Sequence, residues 1–207
     1  MSLVFHLIAA ARPNFMKIAP LYHAMSAADW CTPIIVHTGQ HYDANMSDSF
    51  FDDLGLPAPN FNLEVGSGTH AEQTGAVMIA YEKILMEAPP CATIVVGDVN
   101  STVACTLAAK KLCIPVCHLE AGLRSRDPQM PEEINRIVTD AISDILWTPS
   151  LDGNENLLKE GVDPDRITFV GNIMMDSYEL LRTQIEAKTT RTELNLEKNM
   201  YGVVTLH

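Results

Sequence analysis

No apolar run in the 207 residues approaches the roughly 20 needed to cross a bilayer as a helix, so a membrane-spanning role is not expected. Basic clusters are also missing. With 14 Lys and Arg against 26 Asp and Glu, the formal net charge is −12 at pH 7, which argues against nucleic acid or an anionic membrane as partner. The five cysteines (Cys31, Cys91, Cys105, Cys113, Cys117) are odd in number, unpatterned and set in apolar stretches. They give no disulfide framework and point to a reducing compartment, with the cytoplasm as the expected location. His118 with Cys113 and Cys117 supplies metal-ligand types but no second ligand cluster, so no metal is expected. The opening ten residues lack a basic leader region and a usable cleavage pattern, and read as a first buried strand rather than a signal peptide.

What is present is an alternation of short apolar runs and helical periods. Strand-like segments fall at Leu3–Ala9, Pro33–His37, Asn60–Leu63 (weak), Thr93–Val96, Pro115–Leu119, Ile145–Thr148 and Ile167–Val170. Helical patterns fill the intervals at Pro13–Ala28, Asp43–Leu54, Thr69–Met86, Asn100–Lys111 (capped by Asn100 or Ser101), Glu132–Ala141, Leu151–Glu160 and Ile173–Ala187. Such alternation predicts right-handed crossovers and a Rossmann-like, doubly wound parallel α/β sheet over residues 1–187. A polar linker follows at 188–200. Residues 201–207 then read as the first strand of a further α/β unit, so the chain is expected to be the amino-terminal part of a two-domain protein.

Chemistry concentrates where β-branched runs end in charge beside glycine. Val96-Gly97-Asp98-Val99-Asn100-Ser101-Thr102 and His118-Leu119-Glu120-Ala121-Gly122-Leu123-Arg124-Ser125 place Asp98 and Glu120 on neighbouring strand ends, where open parallel sheets build their ligand crevice. Met130-Pro131-Glu132-Glu133-Ile134-Asn135-Arg136 adds Glu132, with Arg136 one helical turn on and able to orient it. Carboxylates repeated at successive strand ends argue for chemistry or polar-ligand binding. Each also has a plainer reading: Asp98 as a helix cap, Glu132 and Glu133 as acids favoured at a helix amino terminus, Arg12 and Lys17 as surface cations. Because Pro13 starts a helix, Arg12 and Lys17 also flank a ready anion site. His41, in Gly39-Gln40-His41-Tyr42, is either a loop hydrogen-bonder or a ligand.

These segments, in order with Ala11-Arg12-Pro13-Asn14-Phe15-Met16-Lys17, Thr38-Gly39-Gln40-His41, Gly171-Asn172 and the final Leu206-His207, resemble the UDP-N-acetylglucosamine 2-epimerase family along essentially the whole chain. The resemblance implies the amino-terminal half of a glycosyltransferase-B-type enzyme of two Rossmann-like domains, cytoplasmic and a homodimer when complete, serving polysaccharide biosynthesis. A UDP-sugar is the implied substrate, lying between the domains, and no cofactor is implied. In that reaction C2 of the sugar loses a proton as UDP leaves C1. UDP then returns to the glucal intermediate and C2 is reprotonated on the opposite face. The absence of a G-x-G-x-x-G fingerprint after the first strand agrees with a route that needs no nicotinamide.

By matched position, Asp98, Glu120 and Glu132 resemble the family's acidic catalytic residues, and His207 a histidine near the diphosphate. Arg12, Lys17 and Arg136 resemble substrate-binding cations. Two departures stand out: Ala10-Ala11-Arg12-Pro13-Asn14 replaces the frequent Gly-Thr-Arg-Pro-Glu, and Tyr42 replaces the arginine of a Gln-His-Arg segment found in members activated by a second substrate molecule. A non-hydrolysing epimerase is expected over a hydrolysing one. The alternatives are a glycosyltransferase of the same architecture, which has no need of acids around C2, and a non-catalytic nucleotide-sugar-binding module.

Overall fold

A computed structural model describes residues 2–39 and 51–205. Seven parallel strands form one sheet: β1 (Leu3–Ala9), β2 (Cys31–His37), β3 (Phe61–Asn62), β4 (Ala92–Val96), β5 (Val116–Leu119), β6 (Ile145–Thr148) and β7 (Ile167–Phe169). Their spatial order is β3-β2-β1-β4-β5-β6-β7. The chain therefore winds outward from β1 to β3, then returns to the other side of β1 and winds away through β4 to β7. That reversal puts the topological switch point between β1 and β4, where an open α/β sheet leaves a crevice at its strand ends. β1 registers Leu7 against Ile35 on one side and Ile94 on the other.

The helices are α1 (Arg12–Ser26), α2 (His70–Glu87), α3 (Asn100–Lys111), α4 (Pro131–Ile142), α5 (Leu151–Lys159), α6 (Ile173–Ala187) and the four-residue α7 (Thr190–Glu193). Alternate strand residues face opposite layers. Ile8, Val36, Val95 and Val116 pack on Val77, Tyr81 and Leu85 of α2 and on Ala104, Cys105 and Ala108 of α3. On the opposite face Ala9, Ile35, Val96 and Leu119 meet Phe15 and Ile18 of α1, with Ile173 and Leu181 of α6 against them. Each fully buried Ile, Leu or Val contributes about 1.5–3 kcal/mol to this two-sided core. Sheet continuity is set by these β-branched runs, which is why the central strands were legible as apolar blocks.

Several expectations are corrected. α3 is not capped by Asn100 or Ser101: its N-cap is Val99, with no side-chain cap. Asn100 instead donates to Gln73 at 2.7 Å, and Ser101 bonds Thr38 at 2.9 Å, so both hydroxyl and amide serve tertiary contacts. Apart from these corrections, the expected linker carries the short α7, and residues 201–205 are exposed. Of the helix expected over Asp43–Leu54, only 51–54 falls among the described residues; 51–53 are helical and Leu54 is already in the turn that follows. Cys91 and Cys113 are exposed rather than embedded in the core. Cys113 sits in the turn before β5 with φ 59°.

Candidate functional site

The site is built from the turns that leave β1, β4 and β5. At the first, Asn14 in α1 accepts from the Ala11 amide at 2.9 Å and donates to the Val96 carbonyl at 3.3 Å, lashing the β1–α1 turn to the end of β4. Asn14, visible in the sequence only as a departure from glutamate, is thus the residue that closes the floor of the switch point.

One helical turn later, Lys17 projects from α1 onto the end of β5, where its ammonium makes an ion pair with Glu120 Oε2. The side chains are only 17% and 13% exposed, so both charges sit mostly out of water. Glu120 itself has φ 73°, a left-handed backbone conformation that a residue with a Cβ enters at a cost of about 1–3 kcal/mol. Gly97, which follows β4 with φ 67°, lies against the same pair. A methyl group there would fall 3.5 Å from Lys17 Nζ and 3.6 Å from both Asn14 Nδ2 and Glu120 Oε2. The absence of a side chain at Gly97 leaves the Lys17–Glu120 pair open beside the turn that carries Asp98.

Asp98 is held from α4. Arg136 Nη1 donates to Asp98 Oδ2 at 3.0 Å, and Asn135 Nδ2 donates to the Asp98 carbonyl at 2.8 Å. Its side chain keeps 35% exposure, the most open of the acids in the crevice pairs. Arg136 Nε turns to Glu133 Oε2 at 3.1 Å, while its Nη2 is buried with no hydrogen-bond partner among the described residues. Glu133 also accepts the amides of Ser125 at 3.0 Å and Arg126 at 2.8 Å, which ties the loop after β5 onto the first turn of α4. Burial alone would raise the Glu133 carboxyl, but those two N–H groups and the Arg136 guanidinium outweigh it and hold it below the usual carboxylate range.

Of the residues expected from sequence, the structure brings Lys17 and Glu120 together beside Gly97, and Asp98 together with Arg136. Asp98 does not cap α3. Arg136 does not orient Glu132; it serves Glu133 and Asp98 instead. Glu132 is half-buried at the second position of α4, and its side chain makes no hydrogen bond to another described residue. Arg12 begins α1 and is half-buried at the lip of the same turn. His41 and His207 lie outside the described residues.

Arg124, two residues after Gly122, is engaged by Asp140 at 2.7 Å and by both oxygens of Glu160. Sequence reasoning missed Asn14, Glu133, Asn135 and the His118–Asp140 pair. Only Glu133 carried a signal, as one of two adjacent acids, and its inward turn is set by the loop it receives.

A parallel sheet of this order, with a paired acid and base at β5 and a clamped acid at β4, defines a Rossmann-like α/β domain whose crevice is lined by carboxylates and cations. Comparison with known proteins narrows this. Residues 23–207 match the sequence profile of UDP-N-acetylglucosamine 2-epimerase. A UDP-N-acetylglucosamine 2-epimerase of Methanocaldococcus jannaschii is 46% identical over 206 residues, covering 97% of this chain and 56% of that protein. A UDP-2,3-diacetamido-2,3-dideoxy-D-glucuronate 2-epimerase of Pseudomonas aeruginosa is 46% identical over 172 residues, covering 82% and 49%.

The crystal structure of the Methanocaldococcus jannaschii UDP-GlcNAc 2-epimerase with UDP-GlcNAc and UDP superposes with a TM-score of 0.88 at 41% identity, covering 93% of this chain and 53% of that one. A lipopolysaccharide galactosyltransferase at 15% identity and TM-score 0.55 shares the fold alone. The chain belongs to the UDP-N-acetylglucosamine 2-epimerase family. It spans about half the length of the relatives it matches.

Proposed function

We propose that the whole protein inverts C2 of UDP-N-acetylglucosamine, giving UDP-N-acetylmannosamine, by eliminating UDP and adding it back. The C2–H bond is barely acidic in the resting sugar. As the C1–O bond to UDP lengthens, positive charge builds at C1, and carboxylates nearby stabilise it while one of them takes the C2 proton. The pair of electrons left at C2 closes the double bond of the glucal. UDP oxygen then re-forms the bond to C1, and C2 receives a proton on the other face.

The observation that carries this reading is the convergence at Gly97: Lys17, Glu120 and Asn14 meet beside it, and the next residue, Asp98, is held by Arg136. Two acids on adjacent strand ends suit a reaction that moves protons at one carbon, and we assign Asp98, Glu120 and Glu132 jointly to it, since coupled acids titrate as a set. Arg12 and Lys17 stand where α1 begins, suited to a diphosphate; His41 and Arg136 would contact substrate, and His207 would approach the diphosphate from a second domain beginning near residue 201. The domain division at 187 and 200 belongs to the same proposal.

Retention of UDP between the two halves of the reaction makes the enzyme non-hydrolysing. A homodimer is supported by α4, whose Ile134 and Ile137 face outward at 55% and 47% exposure. Among the described residues no helix is long and apolar enough to cross a membrane, and a cytoplasmic location fits three buried free thiols.

The test is incubation of the full-length protein with UDP-N-acetylglucosamine in heavy water. Deuterium at C2 of both epimers, with UDP held in the nucleotide sugar, is expected. Accumulation of free N-acetylmannosamine and UDP would make it hydrolysing. Exchange confined to the diacetamidoglucuronate substrate named for the Pseudomonas aeruginosa relative would reassign the sugar. Transfer to an acceptor without C2 exchange would overturn the reading.

A further inference from the structure

Beneath the crevice, on the face covered by α3 and α4, lies a charged set that the elimination itself does not use. His118 on β5 and Asp140 on α4 are 0% and 1% exposed. His118 Nε2 lies 2.8 Å from the Gly97 carbonyl, and a carbonyl only accepts, so Nε2 carries a proton. The other ring nitrogen faces Asp140 Oδ1 at 2.6 Å. The second carboxylate oxygen, Oδ2, accepts from the Gly122 amide at 3.0 Å and from Arg124 Nη1 at 2.7 Å.

Ion pairs buried this deeply are a poor way to gain stability, because apolar groups of the same volume hold a core as well or better. Asp140's contacts point to a different use. Gly97 immediately precedes Asp98, and Gly122 and Arg124 follow Glu120. One carboxylate therefore reaches both acidic turns, one through His118 and the other directly. Resting on the function proposed above, we infer that Asp140 is a positioning residue: from the buried side of α4 it fixes, through His118 and through Gly122 and Arg124, the spacing between the turns that carry Asp98 and Glu120.

The inward face of α4 carries Glu133, Asn135, Thr139 and Asp140, while its isoleucines at 134 and 137 face out. An inverted helix of this kind makes sense if its inner face exists to hold loops rather than to fill a core. Asn135 and Arg136 grip Asp98 from the same helix, so the Asp140 anchor also sets where that grip falls.

The experiment compares the full-length protein with its Asp140→Asn and Glu160→Gln variants. In Asp140→Asn, kcat for epimerisation falls about 100-fold with KM within about threefold, the size of effect seen when the partner of an orienting side chain is lost. Glu160 holds only the outer side of Arg124, so Glu160→Gln stays within about twofold of the parent; an equal fall there overturns the assignment, because the effect would then lie with Arg124.

Amide hydrogen exchange gives a readout independent of activity. In Asp140→Asn, exchange quickens at Gly122, whose amide loses its acceptor directly, and also at Gly97, whose amide bonds the Leu119 carbonyl and whose own carbonyl Asp140 reaches only through His118. Acceleration at Gly122 alone overturns the inference. If Asp140→Asn does not fold, the ring nitrogens of His118 in the unmodified protein decide. A protonated, slowly exchanging Nε2 coupled to the Gly97 carbonyl supports the clamp, and an unprotonated Nε2 overturns it. A parent protein that shows no C2 exchange would remove the proposed function, while the amide and ring measurements would still judge Asp140.

Discussion

Lys17 and Glu120 stand 103 residues apart and meet as an ion pair across the ends of β1 and β5, with Glu120 on a left-handed backbone. Strained turns persist where their surroundings over-determine them, and they cluster where a side chain must point somewhere that regular structure would not send it. Here the strained turn aims a carboxylate back over Gly97 into the crevice.

Glu120→Gln tests whether that carboxylate does chemistry or merely pairs with Lys17. Glutamine keeps the volume and still accepts a hydrogen bond from the lysine, so the fold should lose no more than about 1.5 kcal/mol. It cannot accept the C2 proton or balance charge at C1. The expected outcome is a fall in kcat of at least about 100-fold at an unfolding midpoint close to the parent's. A matching fall in stability would instead make Glu120 a structural partner of Lys17.

Arg136→Lys separates charge from shape. Arginine reaches Glu133 through Nε and Asp98 through Nη1 at 3.1 and 3.0 Å, a fork that a single ammonium cannot span. The lysine variant keeps the charge yet must abandon one carboxylate. Steady-state kinetics of the full-length variant should show a loss of about 10–100-fold, mostly in kcat, if Asp98 needs its orientation fixed.

Glycines with positive φ offer a cleaner comparison of backbone and packing. Gly161 has φ 85° with open space around it, whereas at Gly122, φ 80°, a methyl group would fall 2.4 Å from the Gly153 carbonyl oxygen. Gly161→Ala should cost about 1–2 kcal/mol from handedness alone. Gly122→Ala carries the same strain plus a clash with main chain that cannot give way, and should cost at least about 2 kcal/mol more in chemical denaturation. Equal losses would show that the turn after Glu120 can shift without harm.

Much of this architecture was written in local pattern. β1, α3, β6 and α6 fall where apolar blocks and helical periods put them, because each buries a continuous face. Legibility failed where a side chain's partner lies far along the chain. Nothing in Pro131-Glu132-Glu133 says which acid turns inward; the amides of Ser125 and Arg126 decide for Glu133. Asn100 and Ser101 look like helix caps until Gln73 and Thr38 claim them. His118 falls in an expected strand and Asp140 in an expected helix, and neither position signals the other, since their pairing exists only once α4 has folded across β5. The acids at strand ends were visible because glycine and charge together break an apolar run; the network that aims them was not.

His6, buried in the core, sets the last expectation. Its Nδ1 lies 3.1 Å from Tyr81 Oη, which in turn bonds Thr93 Oγ1 at 2.9 Å. Burial lowers the His6 pKa from 6.5 to about 4, so the folded protein keeps the ring neutral at pH values where the unfolded chain has already taken up a proton. Between those two values the unfolded state binds more protons, and stability must rise with pH. The contribution is complete above about pH 6.5, is lost progressively as pH falls toward about 4, and changes no further below that.

At full extent it amounts to about 3 kcal/mol. Asp140 and Glu133, whose carboxyls are held low, add their own losses only at more acid pH, so His6 governs the upper part of the window. Denaturation of His6→Leu across this range should give a visibly flatter profile, with Tyr81 still bonded to Thr93. An unchanged slope would mean that another group takes up the proton.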